Sequence, residues 1–177
     1  MKCRRIAIIS LSVILLFTGA LFLFYNFALV AYRSASYDNE FRASYNRLSR
    51  TITIERMNGE GRWHIGGVES PVFIWSPDSR RLAYTATHSF GSRFASILDT
   101  EYNNSTHVIT DVAWLGLSQS ADFGETHVDR LEVTEWIDND TVMVEFSWFN
   151  DKMGENISGW FIFELSSYSV IGLSLWE

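Results

Sequence analysis

The sequence predicts an all-β domain of two repeated antiparallel sheets behind one N-terminal transmembrane helix. Three features predict it: an uncharged run from Ile6 to Ala31, strand-like alternation that takes over at Thr51, and a Trp–turn–strand unit that occurs at Trp75 and again at Trp136. A run of that length exceeds the roughly 20 apolar residues a helix needs to cross a bilayer core. Alternation of period two marks strands with one buried face.

Composition sets the outer bounds. The chain has 177 residues with 47% hydrophobic side chains, including 13 Phe, 7 Trp and 7 Tyr, so it can bury a core and is not a disordered acidic chain. Its one cysteine, Cys3, excludes an internal disulfide framework and a cysteine-rich metal site. The net charge of −7 argues against a nucleic-acid partner. That charge is unevenly spread. Lys2, Arg4, Arg5, Arg33, Arg42, Arg47 and Arg50 face only Asp38 and Glu40 in the first 50 residues, and the acids dominate afterwards.

The N-terminal elements follow in order. Residues 1–5 form a basic cytoplasmic tail, and residues 6–32 a membrane-spanning helix in contact with lipid. Tyr25 and Tyr32 fall near its outer end, where rings with a polar tip are favoured. A cleaved signal would carry a shorter apolar region, about 7–15 residues, ending at a small-x-small site. Thr18-Gly19-Ala20 offers such a site, but the apolar run continues past it, which favours an uncleaved anchor. Lys2, Arg4 and Arg5, tightly grouped, place the N-terminus in the cytoplasm and the rest outside the plasma membrane. Residues 33–50 then read as a helical stalk, because Tyr37, Phe41, Tyr45 and Leu48 recur at spacings of 4, 4 and 3.

Residues 51–177 form the all-β domain. Thr51–Glu55 alternates and leads into the turn-rich Met57–Gly61. Arg81–Ala86 puts Leu82, Tyr84 and Ala86 on one face, and Thr141–Trp148 does the same with Val142, Val144, Phe146 and Trp148. Gly159–Phe163 is apolar on both faces, as a strand inside a sheet is. Two segments repeat the same plan. Trp75-Ser76-Pro77-Asp78-Ser79-Arg80-Arg81 runs from a strand through a polar turn into Leu82–Tyr84. Trp136-Ile137-Asp138-Asn139-Asp140 does so one residue faster. Each is followed by a second apolar strand (Phe94–Leu98, Trp160–Leu165) and a last one (Thr106–Ile109, Ser169–Leu173). Pro77 presets φ for its turn, and Asp78 is placed to hydrogen-bond the backbone two residues on.

At these residues the sequence resembles a known family. Trp75-Ser76-Pro77-Asp78-Ser79-Arg80-Arg81-Leu82-Ala83-Tyr84 is similar to the inner hairpin of a TolB-type, WD40-like β-propeller blade, with Ser79 where that family usually has glycine. The segment around Trp136 and Asn139 resembles it more distantly. The resemblance implies two propeller-blade-like sheets, packed as a small sandwich or meeting blades of another subunit, since propellers use about 4–8 blades. It also implies a bacterial envelope protein whose role is scaffolding or protein binding. The matched positions, Trp75, Pro77, Asp78, Trp136 and Asn139, are structural, so no catalytic residue is carried over.

The chemical motifs of common enzymes are absent from the sequence: G-x-S-x-G, H-E-x-x-H, C-x-x-C and the phosphate-binding glycine loops. His64, His88, His107 and His127 show no ligand spacing, so neither metal nor cofactor is expected. The irregular stretch 112–126 is the candidate interaction or ligand loop, with Trp114, Asp122, Phe123 and Glu125 as its foremost residues, because long loops concentrate binding functions. The resulting expectation is a single-pass, non-enzymatic protein-interaction or assembly domain on the outer face of the plasma membrane, partnered by another envelope protein or by itself. The alternative is an extracytoplasmic sensor that binds its ligand through loop 112–126.

Overall fold

A computed structural model describes residues 16–21, 30–87, 91–101, 106–108, 127–150 and 154–176. Twelve strands lie in two sheets among these residues. The first sheet joins β1 (Val30–Ala35), β2 (Phe41–Asn46), β3 (Thr51–Arg56) and β4 (Arg62–Gly66) in sequence order. The second contains β5 (Glu69–Trp75), β6 (Arg81–Thr87), β7 (Arg93–Asp99) and β8 (Thr106–Val108). It continues through β9 (His127–Trp136), β10 (Thr141–Asn150), β11 (Glu155–Glu164) and β12 (Ser169–Leu175).

The eight-stranded sheet is two four-stranded units. Within β5–β8 and within β9–β12 every neighbour is antiparallel, and the two halves are joined by one parallel pairing, Arg93 with Arg130. The described residues therefore form three four-stranded meanders, here blades I (β1–β4), II (β5–β8) and III (β9–β12). The two sheets expected from the sequence are present, and within them the described residues form a third four-stranded unit that the sequence reading does not count.

The stalk is the reason for the miscount. Residues 33–50 are not helical; they hold the end of β1, a turn, β2 and the turn into β3. Tyr37, Phe41 and Tyr45 are four apart, an even spacing that serves one face of a strand as well as one face of a helix. Phe41, Ala43 and Tyr45 are buried while Arg42, Ser44 and Asn46 are half-exposed, so the period in the structure is two. Leu48, which completed the helical pattern, sits exposed in the turn after β2.

Only part of the stretch predicted to span the membrane lies among the described residues. Residues 16–21 are helical and exposed, but Val30–Ala35 is strand, so the span does not extend to residue 32 as a helix. No helix among the described residues is long and apolar enough to cross a membrane. The rest of the run, together with the tail 1–5, lies outside the described residues.

Two separate cores hold the blades together. Between I and II, Phe41, Ala43, Tyr45, Ile52 and Ile54 meet Trp75, Leu82, Tyr84, Ala86 and Leu98. Between II and III, Ala83, Ala95 and Ile97 meet Leu131, Val133, Val142, Val144, Phe146, Phe161 and Phe163. Blade II is apolar on both faces because it is covered on both. The tryptophans of the two repeat units divide accordingly. Trp75 is buried and stacks on Phe41 at 6.1 Å, while Trp136 is half-buried and donates from Nε1 to Ile74 O at 3.0 Å.

Candidate interaction surface

The blade motif is a hydrogen-bonded turn that repeats three times. In blade II, Ser76 Oγ donates to Asp78 Oδ1 at 2.6 Å and accepts from Arg81 N at 2.9 Å, and Arg80 N donates to Asp78 Oδ1 at 3.1 Å. Blade I reproduces this with Ser36, Asp38, Glu40 and Phe41, at 2.6 Å for Ser36 Oγ to Asp38, 3.0 Å for Phe41 N and 2.9 Å for Glu40 N. Asn39 and Ser79 occupy the same position with φ of 60° and 63°, the left-handed region that a glycine would adopt without strain. Blade III lacks the serine position, and its shorter turn keeps only Asp140 N donating to Asp138 Oδ1 at 2.7 Å.

These turns also link one blade to the next. Asp38 N donates to Ser79 Oγ at 3.1 Å, and Asp78 N donates to Asn139 Oδ1 at 3.0 Å. Blades I and II thus each offer a backbone N–H to a side-chain oxygen on the following blade's turn. Arg81 reinforces the second link, donating to Asn139 O at 2.7 Å and pairing with Asp140 at 3.0 Å and Asp99 at 3.5 Å. Arg50 with Glu69 (2.9 Å) and Arg93 with Glu132 (3.0 Å) pin the blades elsewhere. Asn139, expected to be structural, is the acceptor of an inter-blade bond, and Asp78 is its donor. Pro77 occupies the turn position taken by Tyr37 in blade I.

Blades I and III each have one face turned away from blade II, and the two faces differ. Blade I presents Arg42, Ser44, Thr53, Glu55, Arg62 and His64. Glu55 lies between Arg62 (2.8 Å) and Arg42 (3.9 Å), and Thr53 meets His64 Nδ1 at 3.1 Å. Blade III presents half-buried Met143, Trp160 and Ile162 among Glu135, Glu145 and Glu164. Ile162 lies over Gly172, where an added Cβ would meet its side chain at 3.4 Å. Ile137, Phe149, Ile171 and Trp176 are exposed around the same blade. An apolar strip within an acidic border on a sheet face is suited to covering by another surface.

An open depression of about 420 Å³ lies at the blade I turn, lined by Asn39, Glu40, Arg56, Met57 and Asn58. Among the described residues no group of three metal-ligating side chains is assembled. The predicted loop 112–126, with Trp114, Asp122, Phe123 and Glu125, lies outside the described residues.

Comparison with solved structures places this architecture. The chain is similar to the β-propeller domain of the Trilobed protease from Pyrococcus furiosus, which is described as having an open velcro topology. The TM-score is 0.53 at 18% identity, over 84% of this chain and 43% of that one. The fold is propeller-like. A second neighbour, the acylaminoacyl peptidase of Pyrococcus horikoshii, matches at TM-score 0.50 and 13% identity over 86% of this chain and 26% of that one. The chain therefore spans less than half the length of either solved chain. No family model matches it, and no curated protein does.

The sequence reading found blades II and III and missed blade I. The missed signal was Ser36-x-Asp38-Asn39, which precedes Ser76-x-Asp78-Ser79 by 40 residues, within the period of common blade repeats. Without a tryptophan or proline in that segment, the serine–aspartate pair alone carried the repeat. The open face of blade III was also missed, because half-buried Trp160 and Ile162 read in sequence as the second face of a buried strand.

Proposed function

We propose that the chain is a membrane-anchored, non-enzymatic interaction domain that displays TolB-type blades on the outer face of the plasma membrane. The observation that carries this reading is the outward face of blade III. It keeps Met143, Trp160 and Ile162 only half-covered, while both inter-blade cores are closed. A solvated sheet face has no need of apolar groups, as the polar outward face of blade I illustrates. The uncharged run before β1 supplies the anchor and is long enough without residues 30–32.

Two measurements test the reading. In intact cells, Ser167→Cys, an exposed turn position, reacts with a membrane-impermeant maleimide while native Cys3 does not. Labelling of Ser167→Cys only after lysis would overturn the outer-face placement. A photoreactive residue in place of Trp160 cross-links to protein in membranes, whereas one in place of Val72, exposed on blade II, does not. Absence of any protein adduct from position 160 would remove the interaction role.

A further inference from the structure

The geometry points to a second copy of this chain as the occupant of the open face of blade III, with blade III of each copy packing on blade I of the other to close a six-bladed ring. This rests on the interaction reading and names its partner.

The turns supply the first argument. Along the chain, Asp38 N serves Ser79 Oγ and Asp78 N serves Asn139 Oδ1. The donor at the end of the series is Asp138 N. Within its own blade it has only Thr141 O at 3.5 Å, at the outer limit for a hydrogen bond. The acceptor position at the start of the series is Asn39, the counterpart of Ser79 and Asn139, and no backbone N–H of the described residues serves its side chain. Blade III thus ends in a donor and blade I begins with the side chain that the series uses as an acceptor.

Charge supplies the second. Arg33, Arg42 and Arg62 stand on the outward face of blade I with Glu55 as the one acid that pairs there, so a positive excess remains. Glu135, Glu145 and Glu164 stand on the outward face of blade III with no ion pair among the described residues. Opposite excesses on two faces of one chain favour head-to-tail over face-to-face contact, which would set like charges against each other.

Closure supplies the third. A head-to-tail interface ends in a ring only if its rotation closes. The three blades described in each of two copies give six, inside the roughly 4–8 that propellers use, whereas those of three copies exceed it. The depression at Asn39 and Glu40 leaves room at the turn that blade III of the second copy would approach.

The test uses the full chain in detergent micelles with Cys3→Ser as background. Chains carrying Glu40→Cys alone and chains carrying Ile137→Cys alone are treated with a short bismaleimide, separately and mixed. Both positions are exposed and leave the turn hydrogen bonds intact. The expected result is a cross-linked dimer in the mixture and none in either separate sample. Light scattering should give two chains per particle. Asn39→Gly keeps the left-handed turn and removes the acceptor, and should raise the dimer dissociation constant about tenfold with the strand signal in circular dichroism unchanged. Cross-linking by Ile137→Cys chains alone would show face-to-face contact and overturn the proposal, as would a monomer or a particle of three or more chains. A monomer whose position 160 still cross-links to a different protein would sink the ring and leave the interaction reading standing.

Discussion

Ser79 combines two demands that pull in opposite directions. Its φ of 63° is a conformation that costs an L-residue roughly 1–2 kcal/mol, and glycine would relieve it. Its Oγ, however, accepts the Asp38 N–H across the blade boundary, and glycine has no oxygen to offer. Ser79→Gly and Ser79→Ala both remove the bond, but only the glycine variant releases the strain. The glycine variant should therefore unfold later in urea than the alanine variant, by about 1 kcal/mol. Equal stabilities would mean that the turn relaxes and the strain is not real. The same turns govern the response to acid. Burial alone would raise the carboxyls of Asp38 and Asp140. At Asp140 the hydrogen bonds from Ser166 and Arg81 outweigh it, as do those from Ser36, Glu40 and Ser79 at Asp38, and both are held below the ordinary aspartate value. A lowered folded value means that the stabilisation is complete above the ordinary value of 3.8 and disappears as pH falls through the lower one. Asp140→Asn should thus be less stable than the parent at pH 6, and the gap should narrow on acidification below about pH 4. A gap that does not change between pH 6 and pH 2 would assign the effect to packing.

At the scale of the strand, β11 is constrained on both flanks by Gly159. A Cβ there would run into Ser174 O on β12 and stand 3.1 Å from Phe146 Cζ on β10. Backbone cannot yield as a flexible side-chain tip can, so Gly159→Ala should push β12 outward and cost about 1–3 kcal/mol, the usual range for overpacking. Hydrogen exchange should show the loss in β12 first, with blade I amides unchanged. Uniform loss across all strands would contradict a local clash. Strands were legible in sequence wherever one face is apolar and the other polar: β3 and β10 alternate with period two and were read with nearly their observed bounds, whereas β6, placed by Leu82, Tyr84 and Ala86, is buried on its other face as well. β2 alternates as well, but its aromatics also fit a helical stripe, and only the partner strands β1 and β3 decide between the two. The candidate site was less legible. A sheet face is open or covered according to which blade stacks against it, and the series Asp38, Asp78, Asp138 becomes meaningful only when the turns are seen side by side.

The molecule as a whole is a series of blades in which II is the common neighbour. The I–II and II–III cores share no residue, yet both are built on blade II, from alternate side chains of the same strands. Leu82, Tyr84 and Ala86 turn to blade I, and Ala83 and Ile97 turn to blade III. Such an arrangement transmits a defect from one end to the other only if blade II itself deforms. Ile52 in blade I and Phe163 in blade III are both fully buried, each in a different core. Ile52→Ala should cost about 2–5 kcal/mol and Phe163→Ala about 3–5 kcal/mol by loss of burial and creation of a cavity. Because the sites lie on opposite sides of blade II with no shared contact, the double variant should lose the sum of the two to within about 0.5 kcal/mol. The proposed ring changes that expectation in a measurable way. When blade III of one copy packs on blade I of another, the two cores acquire a second route of contact through the interface. Additivity should then hold at protein concentrations where the chain is monomeric and weaken where it is dimeric, so the same double-mutant cycle run at two concentrations separates an open three-blade chain from a closed ring. Strict additivity at both concentrations would count against the closed ring.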